Sequence, residues 1–516
     1  MGAGAGAPGA PMTPGGALPK PPQLPPSQTP AKPQVAELKK SPLRFLPFVL
    51  GALLILGIGY FVLSKIFGDS KPPQPTTSDT TPTTAGQGST TTTANQAVTL
   101  SYWGLWEPSD VLQDVLDTYH QQHPNVTINY QMESYKDYKD RLQTAIASGR
   151  GPDIFRFHAS WTPMLHNELD AMPTTVYSPT DFQNTFYPAA TQQLSSGSQI
   201  FGIPLMYDGL ALYYNSDALR AANAQPPKTW ADVKSMASQL TIRSNGKIQR
   251  AGLAIGNTTN VEHFSDILAL LILQNGGDPA NPTTQEVQDA VIFYTNFAKV
   301  DKVWDDTLPS STVAFARGDV AMMFAPSWRA HDVKALNPNL KFGIAPVPQL
   351  SGTKISWASF WAEGVSSQSK NKAESWAFLK YLSSADVERK LYAAASKDRA
   401  FGEIYSRKDL AADLANDPYV GPFLADAPSG QGWFLSSFTH DNGINDQMIK
   451  YYQDAVNAVL ASSSDVKSAM NTVQLGVSQV LRQYNVVSKT TTSASATSTT
   501  PAAPTSPTTT TSTTGR

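Results

Sequence analysis

The sequence predicts an α/β protein of two lobes with a helical C-terminal end. Three observations carry that reading. Strand-like and helix-like patterns alternate from residue 98 to 157, the alternation restarts after residue 229, and the last third shows mainly helical periodicity. The chain has 516 residues, too many for one ordinary core and enough for two lobes with tails.

The chain opens with a Pro/Gly/Ala-rich arm, residues 1–43, whose composition cannot pack a core. Residues 44–67 follow, and the run from Phe45 to Ser64 carries no charge. About 20 such residues span a bilayer as a helix. The run has no small-residue cleavage site, so it reads as a retained anchor rather than a signal peptide. Lys32, Lys39, Lys40 and Arg44 precede it and Lys65 and Lys71 follow, which places the arm in the cytoplasm and the rest of the chain outside. Residues 68–97 form a Thr/Pro/Ser linker with a reach on the order of 30 Å. Residues 488–516 form a second Thr/Ser-rich tail.

Between them, VTLSYW (98–103) reads as a strand, and a helix from Ser109 puts Val111, Leu112, Val115 and Leu116 on one face. VTINYQ (126–131) is the next strand, Tyr135 to Ser148 is helical with Gly149 as its stop, and DIFRF (153–157) is a third strand. Such alternation implies right-handed crossovers and a parallel-type sheet. Thr229 with Asp232, and Thr283 with Glu286, have capping-box spacing ahead of helices to about Leu240 and Val300. GLAIG (252–256), VAMMF (320–324) and KFGIAPVP (341–348) are further strands. Helices are expected at Ala373–Leu382, Ala385–Ala394, Ile444–Leu460 and Val466–Tyr484.

Composition removes several functions. Formal net charge is -2 with no basic stripe, which excludes a nucleic-acid footprint. There is no cysteine, hence no disulfide, thiol catalysis, Cys-ligated zinc or lipid attachment through an N-terminal Cys. The sequence has no G-x-S-x-G or H-E-x-x-H, and Gly246-Lys247 lacks the flanking residues of a P-loop. His120 and His123 share a helix end beside Pro124 and read as a solvated terminus rather than metal ligands. No cofactor or metal is expected.

Segments in a fixed order carry a resemblance. They are YWGLWE (102–107), ASGRGPDIFRFHASW (147–161), GIPLMYDGLALYYNSDAL (202–219) with PPKTWADV (226–233), LQNGGD (273–278), FARGDVAMMFAPSW (315–328) and EGVSSQSKNKAESWAFLKYLSS (363–384). This series resembles the extracytoplasmic solute-binding proteins of ABC importers, in particular the maltose-binding-protein-like sugar group. The resemblance covers about 98–487. It implies a periplasmic-binding-protein-like fold, two α/β lobes with a ligand cleft and a hinge. The first lobe is expected at about 98–206 and 365–405, the second at about 207–362 and 406–487, with crossings near Tyr207 and Glu363. It also implies no enzymatic activity, a carbohydrate ligand (oligosaccharide or polyol), ABC permease subunits as partners and a monomer outside the membrane. A sensor or adhesion receptor of the same fold is the alternative. A glycosidase using Asp208 and Glu107 as paired carboxylates is a further, less favoured one.

Sugar recognition needs flat aromatic surfaces for C–H faces and carboxylates or amides for hydroxyls. The resemblance assigns sugar stacking to Trp328 and an acidic ligand contact to Asp208, with Glu107 and Trp106 in the loop after the first strand. Phe157 stands where that group has a stacking Trp, and Ser160 and Trp161 where it has Asp and Arg, a departure that argues against a maltose-like ligand. His263, Trp361, Trp433 and Asn442 complete the candidates, each weighed against a purely structural role.

Overall fold

The structure, a computed structural model, describes residues 97–350, 352, 354–486 and 515. The expected arm, the expected span at 44–67, the linker apart from Ala97 and the tail apart from Gly515 lie outside the described residues. Among the described residues, no helix is long and apolar enough to cross a membrane.

A four-stranded sheet forms first. Three of its strands are β1 (Val98–Leu105), β2 (Val126–Glu133) and β3 (Ile154–His158), joined by α1 (Ser109–Gln122) and α2 (Tyr138–Ala147). β1 lies between β2 and β3 and is parallel to both, as strand-helix-strand units require. Val111, Leu112, Val115 and Tyr119 are the buried face of α1, so Tyr119 completes the stripe that begins at Val111. α2 starts three residues later than its pattern suggests, because Asp137 takes a left-handed conformation (φ 52°). That break leaves Tyr135 exposed in the loop.

A second, three-stranded sheet contains β4 (Ala211–Asn215) at its centre, flanked by β5 (Met322–Ala325) and β6 (Phe342–Ala345). Both pairings are antiparallel. Between β4 and β5 come α3 (Trp230–Leu240), α4 (Phe264–Gln274), α5 (Gln285–Lys299) and α6 (Ser311–Arg317), and α7 (Arg329–Leu336) separates β5 from β6. The chain then returns to the first sheet as β7 (Trp361–Val365), antiparallel to β3. Two helices follow, α8 (Lys372–Leu382) and α9 (Ala385–Ala395). The last two, α10 (Ile444–Leu460) and α11 (Val466–Gln483), pack on each other and on α5.

Local chemistry explains where pattern and structure differ. GLAIG is not a strand; it makes one isolated bridge, Ala254 with Met323, and the residue ahead of it, Ala251, makes another with Val320. Gly252 lies so close to the Ala237 carbonyl that a Cβ would sit 1.8 Å from its oxygen, so this segment follows α3 rather than a ladder. The Thr229–Asp232 capping box forms with both reciprocal bonds. The one expected at Thr283 does not. α5 begins one residue later, with Thr284 as its N-cap and no side-chain capping bond. Thr229→Ala should therefore destabilise the protein by about 1 kcal/mol in denaturant unfolding, while Thr283→Ala should change little.

Candidate functional site

The two passes of chain between the sheets lie side by side. Ile203 bridges Glu363 and Gly209 bridges Ala358, both antiparallel. They form one side of a cavity of about 440 Å³. Other walls come from the loop after β1, the β5–α7 turn, residues 399–403 and the loop ahead of α10.

One wall is aromatic and centred on Trp361, the first residue of β7. Its ring meets Trp106 at 4.6 Å, Trp161 at 5.1 Å and His158 at 5.2 Å between centres, all edge to face. Trp106 is 43% exposed and sits at φ 64°, a conformation that turns its indole away from the strand. His158 lies at the end of β3. Its Nδ1 accepts from Ser160 N (3.3 Å), so Nε2 carries the hydrogen and donates to Ser359 Oγ at 3.1 Å. Burial pulls the His158 pKa down to about 3, which keeps the ring neutral.

The opposite wall is built at the β5–α7 turn. β5 ends at Ala325, and Pro326 and Ser327 lead to Trp328, which is 38% exposed. The next residue, Arg329, places its guanidinium carbon 4.2 Å from the centre of the Trp328 ring and 4.7 Å from that of Phe438. The same guanidinium pairs with Glu262 (3.1 Å) and Asp332 (2.9 Å). Its Nε donates to His263 Nε2 at 3.1 Å, so the hydrogen of His263 is on Nδ1, directed at Ser437 Oγ (2.8 Å). Burial lowers the pKa of His263 as well, although Asp266 opposes the shift.

Asp208 sits between the two walls. Its Oδ1 accepts from Gly209 N (2.7 Å) and Ser327 N (3.1 Å), and its Oδ2 from Ser327 Oγ (2.9 Å). Burial is the main cause that raises its pKa to about 7, and these hydrogen bonds only partly oppose it. At the far edge, Arg399 Nη2 donates to Glu107 Oε1 (2.8 Å) and Glu403 Oε1 (3.0 Å). Burial and then Glu403 raise the Glu107 pKa to about 7. His331, nearby on α7, is lowered to about 4 by burial.

Of the expected site residues, Trp106, Asp208, His263, Trp328 and Trp361 line this cavity. The other six lie elsewhere. Phe157 is fully buried beneath Gly202 and Gly364. Ser160 is buried and accepts from Asn445 Nδ2 at 2.7 Å, so it touches the site only through His158. Trp161 is 1% exposed and backs Trp361. Glu107 reaches the cavity only through Arg399. Trp433 is half-buried against Phe434. Asn442, at φ 46°, donates to Asp140 Oδ2 at 3.2 Å.

Sequence reasoning did not single out Arg329, Arg399, Glu403 or Phe438, all of which line the cavity. Phe438 and His440 belong to the same loop as Trp433 and Asn442. Their φ values of 58° and 53° turn them toward the cavity in a way that residue type alone does not signal. Among the described residues no cluster of three or more His, Asp or Glu could hold a metal ion.

The geometry is that of a binding cleft between two sheets, and comparison with known proteins agrees. Residues 114–418 match the bacterial extracellular solute-binding proteins. The chain belongs to that family. A maltotriose-binding protein of Pyrococcus abyssi is 22% identical over 345 residues, covering 62% of this chain and 70% of its own. A maltooligosaccharide ABC transporter solute-binding lipoprotein of Streptococcus pneumoniae is 22% identical over 306 residues, 56% of this chain and 67% of its own. Among solved structures, the sugar-binding protein MalE of Xanthomonas citri superimposes with a TM-score of 0.62 at 19% identity, covering 75% of this chain and 98% of its own. That likeness establishes the fold.

Proposed function

We propose that the protein is the extracytoplasmic solute-binding component of an ABC importer, takes a carbohydrate between its two lobes and delivers it to a permease. The observation that carries this reading is a cavity of about 440 Å³ in which Trp106, Trp328 and Trp361 offer aromatic surface around one carboxylate, Asp208. Indole surface suits the C–H face of a sugar ring, and a carboxylate suits a donor at its rim. The sugar-binding relatives support the ligand class, and the lipoprotein among them supports a place outside the cytoplasm.

In this reading the lobes comprise about 98–206 with 365–405 and about 207–362 with 406–487. The protein acts as a monomer, held at the membrane by the apolar run at 44–67, and it performs no chemistry on its ligand. Closure is driven by the ligand's greater affinity for the closed form. Arg329 already covers part of Trp328, so the sugar stacks on the ring surface left toward the cavity.

A thermal-melt screen against mono- and oligosaccharides, polyols, peptides and sugar phosphates tests the proposal. At a hundredfold excess over its dissociation constant, a true ligand stabilises the fold by about 2.7 kcal/mol. Trp328→Ala is expected to weaken binding at least tenfold with the fold retained, as is Asp208→Ala. Stabilisation by peptides or sugar phosphates and by no sugar would overturn the assignment of ligand class.

A further inference from the structure

The charges around the cavity do not balance evenly. Arg329 is committed to Glu262 and Asp332, and Arg399 to Glu107 and Glu403. Asp266 accepts from Trp357 Nε1 (2.7 Å) and Ser437 N (3.2 Å) and has His263 at 3.5 Å. Asp266 thus has neutral partners and is buried, 2% exposed; Asp208 also has neutral partners but stands only half-buried at the cavity. Among the described residues it makes no ion pair, and all three hydrogen bonds to its carboxylate come from neutral donors. The acidic side chain that acts on it most, Glu403, is repulsive.

Among the described residues no Lys, Arg or His side chain bonds to the Asp208 carboxylate. Burial keeps His158, His263 and His331 neutral near pH 7 and holds the hydroxyls of Tyr207 and Tyr213 protonated. Oδ1 of Asp208 already takes two donors and Oδ2 takes one, which leaves a single acceptor position for a ligand. A carboxylate prepared for a pair of sugar hydroxyls would keep more than one. With one position, no countercharge and aromatic rings on both walls, the partner that gains most is a compact cationic donor.

We propose that the ligand is an amino-bearing carbohydrate whose ammonium group docks on Asp208. This rests on the sugar-binding reading and narrows it. The ammonium donates its hydrogen bond to the free position of Oδ2, and the sugar rings lie against the indoles of Trp328 and Trp361. Binding requires the ionised carboxylate. Since the carboxyl group titrates near pH 7 in the free protein, capture of an ammonium releases a proton. Affinity for an amine should therefore fall as the pH drops below about 7, by up to about tenfold per unit, and affinity for a neutral sugar should not.

The experiment is titration calorimetry of the full chain with paired ligands. Glucosamine oligosaccharides of two and three units are compared with the matching glucose oligosaccharides, in two buffers of different ionisation enthalpy. The proposal expects the amine of each pair to bind at least tenfold more tightly, with an observed heat that changes with the buffer's ionisation enthalpy as proton release requires. D208N, which keeps the shape and removes the charge, should bring that preference down to about one. If the glucose member binds as well as or better than its amine, the proposal is overturned and the sugar reading stands. If neither binds while another ligand class does, both fall. Should D208N fail to fold, the ligand pairs and proton release in the wild-type protein decide the matter alone.

Discussion

Replacing Glu363 by alanine is expected to destabilise the protein by about 3–5 kcal/mol, more than any change at the cavity wall. Glu363 is fully buried on β7, directly across the ladder from Arg156 on β3. Its Oε1 accepts from Arg156 Nε at 2.7 Å and from the Tyr102 hydroxyl at 3.1 Å, so one carboxylate joins three strands of the first sheet. Arg156 is itself only 5% exposed, and its guanidinium also donates to the Leu105 carbonyl at 3.0 Å. Alanine would leave that guanidinium charged and unpaired in the interior, and the cost is that of an uncompensated buried charge. The double substitution R156M/E363M should recover most of the loss, because no charge remains to be desolvated. Denaturant unfolding of the two variants checks this, and equal destabilisation by the single and double changes would falsify it.

Gly209→Ala is expected to cost about 3 kcal/mol and to abolish ligand binding. A Cβ at this position would stand 1.9 Å from the Trp357 carbonyl oxygen, a backbone atom that no side-chain rotation can move. That carbonyl accepts from Leu210 N, and the neighbouring Ser359 N donates to the Asp208 carbonyl at 3.0 Å. The two passes between the sheets are held together here, so separating them moves Asp208 relative to Trp357 and Trp361. The informative measurement pairs melting temperature with ligand affinity. Retained affinity in a destabilised variant would show that the close approach matters for folding alone. In contrast to Gly209→Ala, Thr229→Ala should lower stability and leave affinity unchanged, since its capping box is exposed and remote from the cavity.

Most of the elements were legible in the sequence because they depend on neighbours within a few residues. The apolar stripe of α1, the reciprocal cap of α3 and the bounds of α10 all follow from such short-range patterns. GLAIG misled because its alternation is strand-like, whereas the decisive contact, with the Ala237 carbonyl, comes from another part of the chain. At the cavity, the residues that sequence reasoning placed there stand beside recognisable segments, as Trp328 does at the end of β5 and Asp208 in PLMYDG.

The sequence by itself determined the alternation of elements, the absence of cysteine chemistry and the short motifs that deliver aromatics to strand ends. The tertiary structure alone decided which charges are spent. Arg399 meets Glu107 from 292 positions away, and Asn445 reaches Ser160 across 285. The cation–π layer of Trp328, Arg329 and Phe438 likewise forms between segments that are remote in sequence. Pairing at such distances leaves no periodic trace, because it depends on how two sheets and their connecting passes are brought face to face. That is why Asp208 could be expected at the site from the sequence, while its lack of a countercharge became visible only in the folded chain.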